Sequence, residues 1–228
     1  MAAPRFFAPN LAVGLVELDK SEIHHLLNVR RLKAGDKCEL FNGRGLIAAA
    51  TVASTSKRTC QLVVEQLAEP EPTAPIQLTI AAPLPRAERA RWLIEKLTEL
   101  NVARFTPLIT EHSVSTARGS KAEKHRQYVI DACKQSGRNT LMSMSEPTTL
   151  STLMQAPHEI TLLAALRDGT QTTPVLTDRR TLVVGPEGGF SEAEQQQLKS
   201  AGALAVSFGL NILRLETAAI AGAVRFAG

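Results

Sequence analysis

Hydrophobic and polar positions along the chain fall into two regimes. Up to about residue 70 the pattern has period two: residues 12–18 alternate like a strand, and residues 37–41, 46–54 and 59–66 repeat the signal. Between the last three strands lie the turn-forming tetrapeptides Asn42-Gly43-Arg44-Gly45 and Thr55-Ser56-Lys57-Arg58, a spacing that suits a small barrel. One helix-like insert interrupts the run, with Ser21 placed to start it ahead of Glu22, Ile23 and Leu26, and Lys33-Ala34-Gly35-Asp36 forms a turn after it. Residues 69–75 hold three prolines in six positions, which neither a sheet interior nor a helix tolerates, so they read as a linker.

From residue 76 the period changes. Strand-like runs at 76–82, 102–109 and 160–166 alternate with helical segments at 86–100 and 121–136. Ala90, Leu93, Ile94, Leu97 and Leu100 make the apolar stripe of the first helix, and Asn101 can stop it. In the second, Tyr128, Val129, Ala132 and Cys133 face inward, Lys121, Lys124, Lys134 and Arg138 can face water, and Gly137 ends the helix. Two further strands, 181–184 and 203–207, complete a five-stranded, mostly parallel α/β sheet. The boundary puts domains at 1–70 and 74–228.

Residues 181–219 organise the second domain. A short β-branched strand runs into Gly185-Pro186-Glu187-Gly188-Gly189, where a backbone freed to adopt positive φ, at Gly188 above all, can approach a ligand. Ser191 and Glu194 make a capping box, Leu198 is a core position and Gly202 stands where a left-handed cap belongs. A second strand then leads through Phe208-Gly209-Leu210-Asn211-Ile212-Leu213 into an alanine-rich helix at 214–226. Two such turns on neighbouring parallel strands open at one sheet edge, where open α/β folds bind ligands.

Composition narrows the class without naming the chemistry. The 228 residues are 44% hydrophobic and 21% charged, ordinary for a globular protein, and neither a membrane-spanning run nor a signal-peptide core is present, so a cytosolic protein is expected. Three widely spaced cysteines favour reduced thiols over a disulfide framework or a zinc site. Residues 84–140 carry 11 Lys and Arg against 6 Asp and Glu, whereas residues 141–228 carry 6 against 8, which suggests a polyanion held beside a site that does not itself bind phosphate. His24 and His25 are adjacent on a helix, point about 100° apart and cannot share a metal. Lys57-Arg58 and Arg30-Arg31 read as phosphate contacts or exposed charge, and Trp92 and Tyr128 as core residues. Arg86, Arg89 and Arg91 crowd a helix start that disfavours cations, which a polyanion would offset.

The glycine turns fail two nucleotide tests. There is no G-x-G-x-x-G with an acidic residue at the ribose spacing, and Gly189-Phe190-Ser191 lacks the P-loop lysine. A ligand without phosphates fits better: backbone groups can read an adenine edge, Phe208, Leu210, Ile212 and Leu213 can wall it, and Glu187 can face a cationic or hydroxylated part. S-adenosylmethionine has those parts.

An ordered set of pieces makes the match specific: Arg5-Phe6-Phe7, His24 to Leu27 through Arg31 and Gly35-Asp36, Lys96 through Glu99-Leu100, Gln135-Ser136-Gly137-Arg138, Val184 to Gly189, and Ile212-Leu213-Arg214 with Glu216-Thr217-Ala218. Together they resemble the SPOUT class of S-adenosylmethionine-dependent methyltransferases, and within it the 16S ribosomal RNA uridine-N3 methyltransferase family. That resemblance implies a PUA-like β-barrel that helps hold RNA, then an α/β domain with a mostly parallel sheet and a C-terminal trefoil knot, acting as a homodimer without a metal. It assigns Leu166, Val184, Gly185, Glu187, Gly188, Gly189, Phe208, Gly209, Leu210, Asn211, Ile212, Leu213 and Thr217 to the cofactor, with residues 164–168 as a third wall. Arg214 and Arg138 become the catalytic candidates, and Arg5, Arg31, Lys96, Arg138 and Arg214 the RNA contacts. The chain departs from the family pattern at Asn101, His112, Asn211 and Leu215, where glycine, arginine, arginine and threonine are expected. The rival readings are a related knotted enzyme acting on another base or a ribose 2′-hydroxyl, and a non-catalytic RNA-binding module.

Overall fold

A computed structural model describes residues 3–56, 59–68, 76–113, 122–155, 161–170 and 177–227, with the backbone alone for 161–163 and 167–170. The 69–75 linker, Lys57-Arg58, Lys121, Ile160 and the side chain of Asp168 therefore lie outside the described residues. In chain order the first elements are β1 (Arg5–Phe7), β2 (Gly14–Glu17), α1 (Lys20–His24), β3 (Lys37–Phe41), β4 (Ile47–Thr55), β5 (Cys60–Val64), β6 (Gln77–Ala82), α2 (Ala87–Glu99) and β7 (Arg104–Ile109). After them come α3 (Ala122–Ser136), β8 (Ser143–Met144), β9 (Thr148–Thr149), α4 (Leu150–Met154), β10 (Thr161–Thr170), β11 (Arg179–Val184), α5 (Glu192–Ser200), β12 (Leu204–Val206) and α6 (Leu215–Phe226). The chain forms two compact units, Met1–Thr73 with Ile130–Leu141, and Ala74–Val129 with Met142–Gly228.

The first unit is a five-stranded sheet in the order β1-β3-β4-β5-β2, in which β1 joins β3 in parallel and the other pairs are antiparallel. Alternation does the sorting: Ala48, Ala50 and Val52 of β4 and Cys60, Leu62 and Val64 of β5 point into a core shared with Phe6, Leu26 and Leu40. The helix starts at Asp19 rather than Ser21. Asp19 has an extended backbone and its carboxylate accepts the Glu22 N–H at 2.9 Å, while Ser21 only donates its hydroxyl to Asp19. Beyond His24 a π-helical turn, His25–Arg30, ends at Arg31 in the left-handed region with φ 56°.

Lys134 does not face water. Its Nζ lies 2.7 Å from Glu22 Oε1 with both side chains nearly enclosed, and Glu22 also accepts the Phe7 N–H at 3.2 Å. Burial pushes the Glu22 carboxyl above its usual range, against the pull of Lys134 and Phe7 N–H. The cysteines are buried and unpaired, and burial raises the Cys38 thiol to about 12 and Cys133 to about 11, which keeps both protonated.

The second unit holds a parallel sheet in the order β12-β10-β11-β6-β7-β8, with β9 also against β7. The short strands β8 and β9 add to the five that periodicity marks. β11 and β12 are not neighbours, as the sequence had suggested, because β10 enters between them. Leu78, Ile80, Leu93, Ile94, Leu97, Phe105 and Phe226 fill the core, and α6 packs on β11 and β6 and against α2. Trp92 is 46% exposed, contrary to expectation, since it lies off the 90-93-94-97 stripe that covers the sheet. Tyr128 is half-buried, its ring 5.5 Å from the Arg91 guanidinium. Asn101, Gly137 and Gly202 all adopt positive φ at helix ends. Among the described residues, no helix is long and apolar enough to cross a membrane.

Candidate functional site

β10 lies between β11 and β12, so the segments that follow β11 and β12 enclose, together with β10 itself, one cavity of about 360 Å³. Ala165 and Leu166 line it from β10, residues 184–190 from β11, and Val206 to Gly209 with Asn211, Ile212 and Leu213 from β12. The inserted β10 is what makes the third wall possible.

The first turn is built from backbone bonds and close packing. Gly189 N–H donates to Pro186 O at 2.9 Å with Gly189 at φ 74°, a conformation that disfavours any side chain. Gly188 was expected to need positive φ and does not. Its constraint is space, because a Cβ there would stand 3.2 Å from Cβ of His112, whose Nδ1 lies 3.2 Å from Gly189 O. At Gly185 a Cβ would meet the Phe190 ring at 3.1 Å. The capping box forms as predicted, with Ser191 N–H on Glu194 Oε2 and Glu194 N–H on Ser191 Oγ. Glu194 also accepts the Glu111 N–H at 2.9 Å, which ties the loop after β7 to this helix start.

The second turn is looser. Ser207 donates to Gly209 O at 3.2 Å, and Arg225 donates to Ser207 O at 3.1 Å. Gly209 has φ 148°. Leu210 points away from the cavity at 90% exposure, and Thr217 is exposed on α6 outside the lining, so the structure does not bring these two to the other predicted cofactor residues. Leu166, Val184, Gly185, Glu187, Gly188, Gly189, Phe208, Gly209, Asn211, Ile212 and Leu213 do converge there. Ala165, Pro186, Phe190, Gln195, Val206, Ser207, Leu215 and Ala218 line it too. Ala165 and Pro186 fall within the wall and the turn that the resemblance implies; the other six were not assigned to the cofactor, and Gln195 was legible only as the next residue after the capping glutamate.

Charge at the rim is arranged by a residue outside the motifs. Arg89, in the first turn of α2, bonds Glu187 Oε1 at 2.6 Å and both carboxylate oxygens of Glu216, one of them at 3.0 Å. The two carboxylates push the Arg89 guanidinium up, and Arg89 pulls the Glu187 carboxyl below its usual range, with Arg214 adding to that pull. These acids, rather than a polyanion, compensate Arg89 at the helix start. Arg214 is the exposed N-cap of α6 and leaves Glu216 to Arg89.

The remaining predicted contacts separate by unit. Arg5 is committed internally: its guanidinium donates to Cys133 O at 3.0 Å and to Asn139, and lies 2.6 Å from Glu39 and 4.9 Å from the centre of the Phe41 ring. Arg138 belongs to the same N-terminal unit and is half-buried, and desolvation pulls its guanidinium below the usual arginine range. It does not face water as the helical pattern had suggested. Arg31 is exposed, and Lys96 bonds both oxygens of Glu99 at 2.8 Å on α2. Among the described residues no cluster of His, Cys, Asp and Glu could hold a metal ion.

Against known proteins, residues 72–226 match the family model described as an RNA methyltransferase domain, and residues 18–65 match an RNA methyltransferase PUA domain. Ribosomal RNA small subunit methyltransferase E of Aquifex aeolicus is 31% identical over 223 residues, covering 94% of this chain and 95% of that protein. Its namesake in Bacillus subtilis is 28% identical over 213 residues, covering 86% and 83%. Among solved structures, ribosomal RNA small subunit methyltransferase E from Neisseria gonorrhoeae, bound to S-adenosyl methionine, superposes with a TM-score of 0.89 at 30% identity, covering 98% of this chain and 96% of that one. A Legionella pneumophila protein in complex with the same cofactor gives 0.87 at 28% identity, covering 99% and 97%.

Proposed function

Because the chain belongs to the ribosomal RNA small subunit methyltransferase E family of RNA methyltransferases, we propose that it moves the methyl group of S-adenosylmethionine to N3 of a uridine in 16S ribosomal RNA. The observation that carries the reading is the cavity itself, framed by the turns after the parallel strands β11 and β12 and by β10 between them. Its donor set fits that cofactor: glycine-turn backbone, apolar Leu166, Phe208, Ile212 and Leu213, the amide of Asn211 and the anionic Glu187, with no phosphate-binding lysine. S-adenosylmethionine supplies an activated methyl on a sulfonium, so the chemistry calls for no metal.

The residues of the chain do the rest by position and charge. The two turns hold the adenine and methionine ends, and the apolar walls exclude water. Uridine N3 is protonated at neutral pH, so negative charge must be stabilised on the ring as its proton leaves. Arg214, an exposed cation at the start of α6, is the group that donates to a uracil carbonyl and stabilises the charge that spreads onto it. Arg31 contributes to RNA grip from the N-terminal unit, and the protein works in the cytoplasm.

We assign a homodimer in which α6 lies in or beside the interface, supported by Val224, Leu210 and Ile212, which are exposed at 63%, 90% and 76%. Light scattering should return twice the chain mass at micromolar concentration; a monomer with full activity counts against it.

The test of the reaction is direct. The purified protein, methyl-labelled S-adenosylmethionine and small-subunit ribosomal RNA are incubated, and the digested nucleosides are resolved by mass spectrometry. Labelled 3-methyluridine is expected. Label in another nucleoside makes the chain a different RNA methyltransferase, and no label with intact RNA binding makes it a binding module.

A further inference from the structure

We propose that Arg89 is a positioning residue that sets the opening of the cofactor cavity, by tying Glu187 of the first turn to Glu216 at the start of α6. The proposal rests on the reading of this cavity as the S-adenosylmethionine site.

The two turns that frame the cavity follow strands that each pair with β10 and not with each other, so no strand ladder joins one turn directly to the other. Glu187 belongs to the first turn and lines the cavity. Glu216 lies in the first turn of α6, three residues after Leu213, the last cavity residue of the second turn. One guanidinium spans them: Nη2 bonds Glu187 Oε1 at 2.6 Å and Glu216 Oε2 at 3.0 Å, while Nε faces Glu216 Oε1. A planar fork makes this arrangement possible; a lysine ammonium carries its donors on a single nitrogen and cannot spread them over two nitrogens as Arg89 does to meet Glu216 and Glu187 together.

Where each partner sits excludes a simpler purpose. Arg89 is in the first turn of α2, where the helix dipole disfavours a cation, so α2 gains no stability from it. Glu216 is only 5% exposed, and a buried carboxylate needs a partner. Glu187 is half-exposed on a turn made of glycines and would turn to solvent if unheld. Without Arg89 the two anions repel each other, and the first turn and α6 move apart. The consequence falls on cofactor binding, since Arg89 itself is absent from the cavity lining. Once the cofactor saturates the site, its binding energy restores the spacing and turnover recovers.

The test uses full-length Arg89→Met, Arg89→Lys, Glu216→Gln and the Arg89→Met/Glu216→Gln pair, since Glu216 bonds Arg89 and lies outside the cavity lining. KM for S-adenosylmethionine and kcat are measured on small-subunit ribosomal RNA, with cofactor Kd by calorimetry and thermal melting alongside. Arg89→Met should raise KM and Kd at least tenfold while kcat at saturation stays within threefold. Arg89→Lys should recover only a minor part of that loss, and the pair should bind no worse than Arg89→Met alone. If Arg89→Met fails to fold, Glu216→Gln, which leaves the Arg89–Glu187 bond in place, must still raise Kd at least threefold. An unchanged Kd in the folded variants, full recovery by lysine, or a fall in kcat without a rise in KM overturns the proposal. Absence of cofactor binding by the wild-type protein overturns the reading of the cavity itself, a separate result.

Discussion

Gly222 of α6 lies directly over Leu182 of β11, so close that a Cβ on the glycine would stand 2.0 Å from Leu182 Cδ2. The glycine is what lets the last helix settle on the sheet beside the cavity. Leu182 is fully buried and has little room to withdraw. Gly222→Ala should therefore destabilise the protein by about 1–3 kcal/mol through overpacking, despite the better helix propensity of alanine. Chemical denaturation read by tryptophan fluorescence and circular dichroism measures it.

The glycine turn predicts a different failure. Gly188→Val would press His112, whose Cβ is already within 3.2 Å of the space a side chain would occupy, and would displace the backbone lining the cavity. Cofactor affinity should fall at least tenfold, which is about 1.4 kcal/mol, with melting temperature changed by only a few degrees. Calorimetric titration with S-adenosylmethionine decides it, and wild-type affinity in the variant removes the turn from the site.

Arg214→Ala separates chemistry from binding. Losing a donor to developing negative charge costs about 2.7–4 kcal/mol, so methyl transfer should drop by a factor of about 100 to 1,000. Glu187 and Glu216 remain bonded to Arg89, so cofactor Kd should stay within about threefold. Parallel loss of both would mean that Arg214 shapes the loop instead.

The buried pair in the N-terminal unit gives a pH signature. Desolvation raises the Glu22 carboxyl, so the folded chain binds that proton more readily than the unfolded one. Stability contributed by such a group grows as the pH falls from neutrality and levels off below the unfolded value of ~4.3. Compared with Glu22→Gln, which cannot titrate, the wild-type protein should gain stability between pH 7 and pH 4.5. Urea denaturation of both proteins across that range provides the comparison, and a difference moving the opposite way contradicts the assignment.

By itself the sequence determined what local rules govern. Strand alternation at 37–41, the Ser191–Glu194 capping box, the left-handed stops at Asn101, Gly137 and Gly202, and the glycine turn after β11 each depend on neighbours within a few residues, and each stands where the pattern put it. The helix start lies at Asp19 rather than Ser21 because two good capping residues lie two positions apart, and it is the Asp19 carboxylate that accepts the Glu22 N–H. What no local pattern held was set by contacts distant in sequence. The insertion of β10 between β11 and β12 brought two turns and a strand to one cavity, the Glu22–Lys134 pair joined residues 112 positions apart, and Arg89 met Glu216 across 127. An arginine in a first helical turn and a lysine on a helix face look alike, in sequence, to any solvated charge. Their roles follow from the carboxylates that the fold places against them, because Coulomb attraction depends on distance in space and burial, and neither is written in sequence separation.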